Sequence, residues 1–172
     1  MESKKLVEQI EEIHSKSNST DVDHPAMGKN VSDLKIVHTE LLPNIMNKFY
    51  SRVEDINEEC YGFDLYKRLP KSIHLNYYRD ENLADYPFHM DGVTLGSYNE
   101  MKLTGIINLS REKYVGGQFQ LLINENNPII VDEINTVGNA IIFPSFILHK
   151  VTPITKGERI SLSTWFYGPN WK

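Results

Sequence analysis

After Pro70 the chain becomes a succession of short apolar runs: SIHLNYY, YPFHMDGVT, KLTGIINLS, GQFQLLIN, PIIVDEI, NAIIFPSFILHKVTP and RISLSTWFYG. Turn signals separate them at Asp80 to Asn82, Gly116 and Gly117, Asn124 to Pro128, Gly138 and Asn139, and Lys156 and Gly157. Spacing this tight leaves no room for the helices of βαβ units. Strands joined by Gly, Asn and Pro turns build sandwiches and barrels instead. The segment is therefore expected to be an all-β body of about 100 residues in two sheets.

The first 70 residues read differently. Leu6, Ile10 and Ile13 recur at helical spacing among Glu and Lys, which predicts an amphipathic surface helix over residues 3–16. The polar stretch SKSNSTDVDHPAMGKN reads as a loop, and DLKIVHTE as a strand. Ile45, Met46, Phe49, Val53 and Ile56 predict a second helix from Leu42 to about Tyr61, with Pro43 suited to its first turn. The expected fold is mainly β with N-terminal helices (α+β), one domain over 1–172, in which 1–70 is mostly helical support and 71–172 the β core.

A net charge of -5 with no basic stripe gives no support to nucleic-acid binding. Lys67, Arg68 and Lys71 form a short cluster that reads as solvated. No apolar run approaches the ~20 residues that span a bilayer, and the charged N-terminus lacks the apolar core of a signal peptide. The single cysteine, Cys60, excludes an internal disulfide and reads as a small buried residue. A cytoplasmic location is expected on these grounds. The N-x-S/T triplets at Asn18, Asn30 and Asn108 read as chance matches.

Within YPFHMDGVTLG, His89 and Asp91 stand two residues apart, a spacing that points both side chains to one side of a strand. His149 follows 58 residues after Asp91, near the end of another predicted strand. Two imidazoles and one carboxylate can occupy one face of an octahedral metal and leave the other positions open. Ten residues further comes Arg159. Strand alternation puts it on one face with Ser161, Ser163, Trp165 and Tyr167, and puts Ile160, Leu162, Thr164 and Phe166 on the other. An arginine pointing into a barrel needs an anionic partner, from a substrate or from the protein.

In order, the chain shows HMD, INLS followed by YVGGQF, VGNAIIFPSFILHKVTPITKGER and RISLSTWFYG. With these motifs it resembles the Fe(II)/2-oxoglutarate-dependent dioxygenases, in particular the prolyl-4-hydroxylase-like branch. The resemblance spans Ser72 to Gly168. It implies a double-stranded β-helix (jelly-roll, cupin-like) core and Fe(II) held by His89, Asp91 and His149. It implies 2-oxoglutarate and O2 as cosubstrates, with ascorbate as a reductant. Arg159 would pair with the distal carboxylate of 2-oxoglutarate, and Tyr78 would line the same pocket. Asn108 stands where some prolyl hydroxylases place a tyrosine, which implies a weaker hydrogen bond there. Thr104, on the same strand face, could serve in its place. The implied reaction is hydroxylation of an unactivated C–H bond.

A peptidyl proline is the leading substrate class, followed by a free amino acid or other small metabolite. Two rivals stand beside this reading: a non-oxidative cupin-like metal-binding barrel, and an interaction protein that has lost turnover. Nothing in the pattern specifies an oligomeric state. His14, His24, His38 and His74 read as ordinary hydrogen-bonded or surface histidines, Asp21 to His24 as a solvated cluster, Trp165 as barrel wall, and Gly116 and Gly117 as turn residues. Arg79, Asp80, Tyr86 and Phe88 are candidates to shape the substrate entrance.

Overall fold

A computed structural model describes residues 2–16, 32–92, 100–124 and 127–171. Helix α1 runs Glu2–Lys16, followed by strand β1 (Asp33–His38) and helix α2 (Pro43–Ile56). The strands after these are β2 (Ser72–Arg79), β3 (Tyr86–His89), β4 (Met101–Asn108), β5 (Val115–Gly116), β6 (Phe119–Leu122), β7 (Ile129–Ile130), β8 (Ala140–Pro144), β9 (Leu148–Val151), β10 (Ile154–Lys156) and β11 (Glu158–Tyr167). The large sheet has the order β1-β2-β11-β4-β8, the small one β3-β9-β6-β7, and β10 pairs with β5. Every pairing is antiparallel.

Alternation along β2, β4 and β11 gives the large sheet two different faces. One carries Ile73, Leu75, Tyr77, Ile160 and Leu162, which pack with Val7 and Ile10 of α1 and Met46 of α2. Val53 of α2 packs with Leu103 and Phe166 beside them. The other face turns toward the small sheet, where Tyr78, Ile106 and Phe143 meet Phe119 and Val151. Glu11 fastens α1 to the barrel: its carboxylate accepts hydrogen bonds from Tyr77 Oη and Arg111 Nη2, both at 2.7 Å, and Lys35 Nζ lies 3.8 Å away.

Several expectations change in detail. NAIIFPSFILHKVTP is not one strand, because a turn at Ser145 to Ile147 hands the chain from β8 in the large sheet to β9 in the small one. PIIVDEI keeps only Ile129 and Ile130 as strand, and Asp132–Asn135 forms a 3-10 turn, as residues that bond their own backbone favour. The short β5 and β10 had no periodicity to announce them. Cys60 is exposed rather than buried, because it lies on the π-turn Asn57–Tyr61 that ends α2. The Asp21 to His24 cluster, Asn18 and Asn30 lie outside the described residues. Asn108 is fully buried, so its triplet offers no glycan acceptor.

Candidate functional site

His89 and His149 sit directly opposite each other across the β3–β9 ladder. The register shifts between Tyr86 and His89, and this irregularity brings the two imidazoles into one pair. Their ring centroids lie 4.1 Å apart. Asp91 does not share the strand, because β3 ends at His89 and Asp91 stands in the following turn. Its place is fixed instead by hydrogen bonds. The Asp91 amide donates to Ser145 O at 3.1 Å, and Thr104 Oγ1 donates to Asp91 Oδ2 at 2.5 Å. Ser145 Oγ in turn lies 3.0 Å from Thr104 Oγ1. One ligand atom from each of His89, Asp91 and His149 lies within 4.8 Å of the others.

The ring nitrogens divide their work. His89 Nδ1 lies 2.9 Å from Pro87 O, and His149 Nδ1 lies 2.9 Å from Ile147 O. A ring that donates Nδ1–H to a carbonyl keeps its Nε2 lone pair for a metal. Both Nε2 atoms face the carboxylate, at 3.6 Å for His89 and 3.7 Å for His149.

Burial pushes the His149 pKa down to about 4 against the opposing pull of Asp91, so this imidazole is neutral at neutral pH. Burial alone would raise the Asp91 carboxyl. His89, His149, Thr104 and Trp165 outweigh it and hold the group below its ordinary value. Phe143 and Phe119 pack on the His149 ring at 4.9 and 5.8 Å and keep water from it. This donor set, two imidazoles and one carboxylate converging on one point, suits Fe(II).

Arg159 is 1% exposed, and none of its three side-chain nitrogens has a hydrogen-bond partner among the described residues. Its guanidinium carbon lies 5.4 Å from the centre of the Tyr78 ring, which stands opposite it in the β2–β11 register. A buried cation with no counter-charge among the described residues is costly, and a carboxylate is the partner its fork fits. Gly117 makes room for it: φ is +63°, and a Cβ there would come within 3.1 Å of Arg159 Cδ and 2.3 Å of Ile154 Cδ1. That glycine is therefore more than a turn former. The Tyr78 hydroxyl is held protonated by burial, against the pull of Arg159.

Asn108 and Thr104, the other residues expected near a cosubstrate, are held by protein partners. Asn108 Nδ2 donates to Ile134 O at 2.8 Å and to Tyr114 Oη at 3.3 Å. Asn108 Oδ1 accepts from Ser110 N and Ser110 Oγ at 3.0 and 2.7 Å. Both of its donors and its acceptor are thus engaged by the protein in this structure. Thr104 faces Asp91, and so belongs to the metal side of the site.

Among the entrance candidates, Arg79 is tied to Asp33 and Glu158, and Asp80 accepts from the Gly157 amide. The Tyr86 ring lies tilted against His89 with centroids 4.1 Å apart, and burial first, then nearby Tyr78 and Asp91, push its hydroxyl up to about 12. Ser145 escaped the sequence reading, although the Pro144-Ser145 break in an apolar run marks the turn that holds Asp91.

The 2OG-Fe(II) oxygenase superfamily profile matches residues 73–167. A PKHD-type hydroxylase of Alteromonas mediterranea is 33% identical over 87 residues, 46% of this chain and 37% of that protein. One from Acidovorax ebreus is 30% identical over 107 residues, 56% of this chain and 44% of that protein. The chain thus spans less than half the length of these curated relatives. A prolyl-4-hydroxylase from Pseudomonas putida superposes with a TM-score of 0.70 at 16% identity, over 98% of this chain and 86% of that one. A Trichoplax adhaerens prolyl hydroxylase, solved with a hypoxia inducible factor peptide, gives 0.70 at 16% identity, over 96% and 77%. These two likenesses establish the double-stranded β-helix fold. With the profile covering more than half of its residues, the chain belongs to the 2OG-Fe(II) oxygenase superfamily.

Proposed function

We propose that this protein is an Fe(II)- and 2-oxoglutarate-dependent hydroxylase acting on an unactivated C–H bond, with a peptidyl proline or other peptide residue as substrate. The observation that carries the reading is the buried Arg159 guanidinium without a hydrogen-bond partner among the described residues, on the sheet face that turns toward the His89, Asp91 and His149 cluster. A metal-binding cupin-like barrel needs the cluster but has no use for that cation. The peptide substrate draws support from the Trichoplax relative, whose structure holds a peptide.

His89, Asp91 and His149 would hold the iron through Nε2, a carboxylate oxygen and Nε2. Arg159 would pair with the distal carboxylate of 2-oxoglutarate, with Tyr78 packed against it. The bound iron would supply the redox chemistry, oxidative decarboxylation of 2-oxoglutarate with O2 to succinate and CO2 coupled to hydroxylation. The chain itself positions and excludes water. Thr104 and Ser145 fix the Asp91 carboxylate, and backbone carbonyls fix both imidazoles. Phe119 and Phe143 keep the His149 side dry.

The test is aerobic turnover of the protein with Fe(II), 2-oxoglutarate, ascorbate and proline-containing peptides, followed by succinate release and peptide mass. Succinate formed together with a peptide that gains one oxygen is the expected result. Succinate without peptide oxidation would redirect the substrate to a free amino acid or small metabolite, and no succinate with any substrate would favour the non-oxidative barrel.

A further inference from the structure

Beyond Trp165 the barrel face continues into a cavity of about 280 Å³, lined among others by Tyr66, Arg68, Lys71, Glu100, Trp165 and Tyr167. Trp165 connects it to the metal cluster, because it stands opposite Thr104 in the β4–β11 register and Thr104 bonds Asp91. Trp165 thus borders the cavity on one side and the Thr104–Asp91 pair on the other.

The cavity's charge is unusual for an acidic chain. Arg68 and Lys71 both line it, and among the described residues neither forms an ion pair with a carboxylate of the protein. The Arg68 guanidinium is laid over the Tyr66 ring, 5.0 Å from its centre. Stacking of this kind occupies the flat of the guanidinium and leaves its edge N–H groups in the fork that grips a carboxylate. Glu100, the one acid in the lining, also acts on Lys102. Two cations against one acid leave a single positive charge, which matches a monoanion better than a doubly charged phosphate. Leu69, Pro70 and Phe166 supply apolar wall for the carbon skeleton that carries it.

We infer that this cavity is the substrate's anchoring subsite and takes a carboxylate of the substrate between Arg68 and Lys71, with the carbon to be hydroxylated beyond Trp165 at the metal cluster. The inference rests on the hydroxylase reading for what the anchored molecule undergoes, but the carboxylate preference is a binding property of its own. The cluster that read as solvated in the sequence thereby acquires a role. The carboxylate could come from an acidic side chain in a peptide or from a main-chain terminus.

The test is calorimetric titration of the protein, loaded with Zn(II) in place of Fe(II) and with saturating 2-oxoglutarate, using two matched pairs of probes. Acetylated proline peptides amidated at the end and carrying glutamate or glutamine probe a side-chain carboxylate. N-acetylproline and its amide probe a main-chain one. In at least one pair the carboxylate should bind roughly tenfold or more tightly than its amide, and the pair that discriminates identifies the source. Arg68→Gln with Lys71→Gln should abolish the difference, and Lys4→Gln with Lys5→Gln, an equal charge change outside the cavity, should preserve it.

No preference in either pair, including no binding up to about 10 mM, would overturn the inference. So would a preference that survives in the Arg68/Lys71 variant. The Fe(II)–2-oxoglutarate absorption of that variant separates the two claims. Its presence with the preference lost supports both, and its absence from the wild type as well would count against the hydroxylase reading and leave the binding result standing.

Discussion

The two faces of the large sheet are made by the same strands and differ in almost everything else. The helix-covered face is a continuous apolar layer in which Ile73, Leu75, Ile160 and Leu162 meet Val7, Ile10 and Met46. The barrel-facing side of the same strands carries buried Asn76, Thr104, Asn108, Arg159 and Ser161. Hydrophobic burial on one face stabilises strands whose other face holds groups that are costly to bury. The lesson is a division of labour at single-residue alternation: Ile160 and Leu162 hold the strand in place, and Arg159 and Ser161 face the barrel interior.

Breaking the apolar face should have the largest effect on stability. Leu162→Ala is expected to destabilise the fold by about 2–5 kcal/mol, the range for truncating a buried leucine, while the remaining folded protein binds 2-oxoglutarate as before. Chemical denaturation and cosubstrate titration measure the two. Arg159→Met tests the opposite face and should divide in sign. Cosubstrate binding should weaken by an amount equivalent to about 1.5–3 kcal/mol, whereas the cosubstrate-free protein should become more stable because a buried cation without a partner has been removed. A loss of stability instead would mean that the guanidinium has an internal partner.

Thr104→Val sharpens the comparison at one atom. It keeps the shape and removes the hydroxyl that holds Asp91, so iron affinity measured by chelator competition should fall about tenfold, with little change in melting temperature. The smallest effect is expected at the rim, where Glu11 ties α1 to the apolar side. Burial alone would raise its pKa. The Tyr77 hydrogen bond and the charges of Arg111 and Lys35 outweigh it and lower the pKa below 4.5. With a lowered folded value, the unfolded chain binds more protons, so this contact contributes stability above pH 4.5 and loses it as pH falls through the folded value. Wild type and Glu11→Gln should differ by at most about 3 °C in melting temperature near neutrality and converge as the pH falls through the folded value of Glu11.

Much of this contrast was legible in the sequence because alternation and helical spacing are local signals. The period of two in RISLSTWFYG placed Arg159 and Ile160 on opposite faces, and Leu6, Ile10 and Ile13 marked the docked side of α1. Motif order was enough to single out His89, Asp91, His149 and Arg159. What escaped depends on tertiary contacts. Asp91 reaches the cluster through Ser145 and Thr104 rather than by strand alternation, and Asn108 is consumed by Ser110, Ile134 and Tyr114. No local pattern announces which partner a buried amide or hydroxyl will find. Arg68 and Lys71 read as solvated for the same reason, since their shared cavity exists only once Trp165 and Tyr167 arrive from the far end of the chain.

The most direct test of the central claim is an anaerobic titration of the metal-free protein with Fe(II) and then 2-oxoglutarate, watching for the visible metal-to-ligand charge-transfer band. The band is expected in the wild type, absent in Asp91→Ala, and shifted to much higher 2-oxoglutarate concentration in Arg159→Ala. Iron binding without any band would contradict the cosubstrate assignment, and no iron binding at all would mean that the His89, Asp91 and His149 cluster is structural.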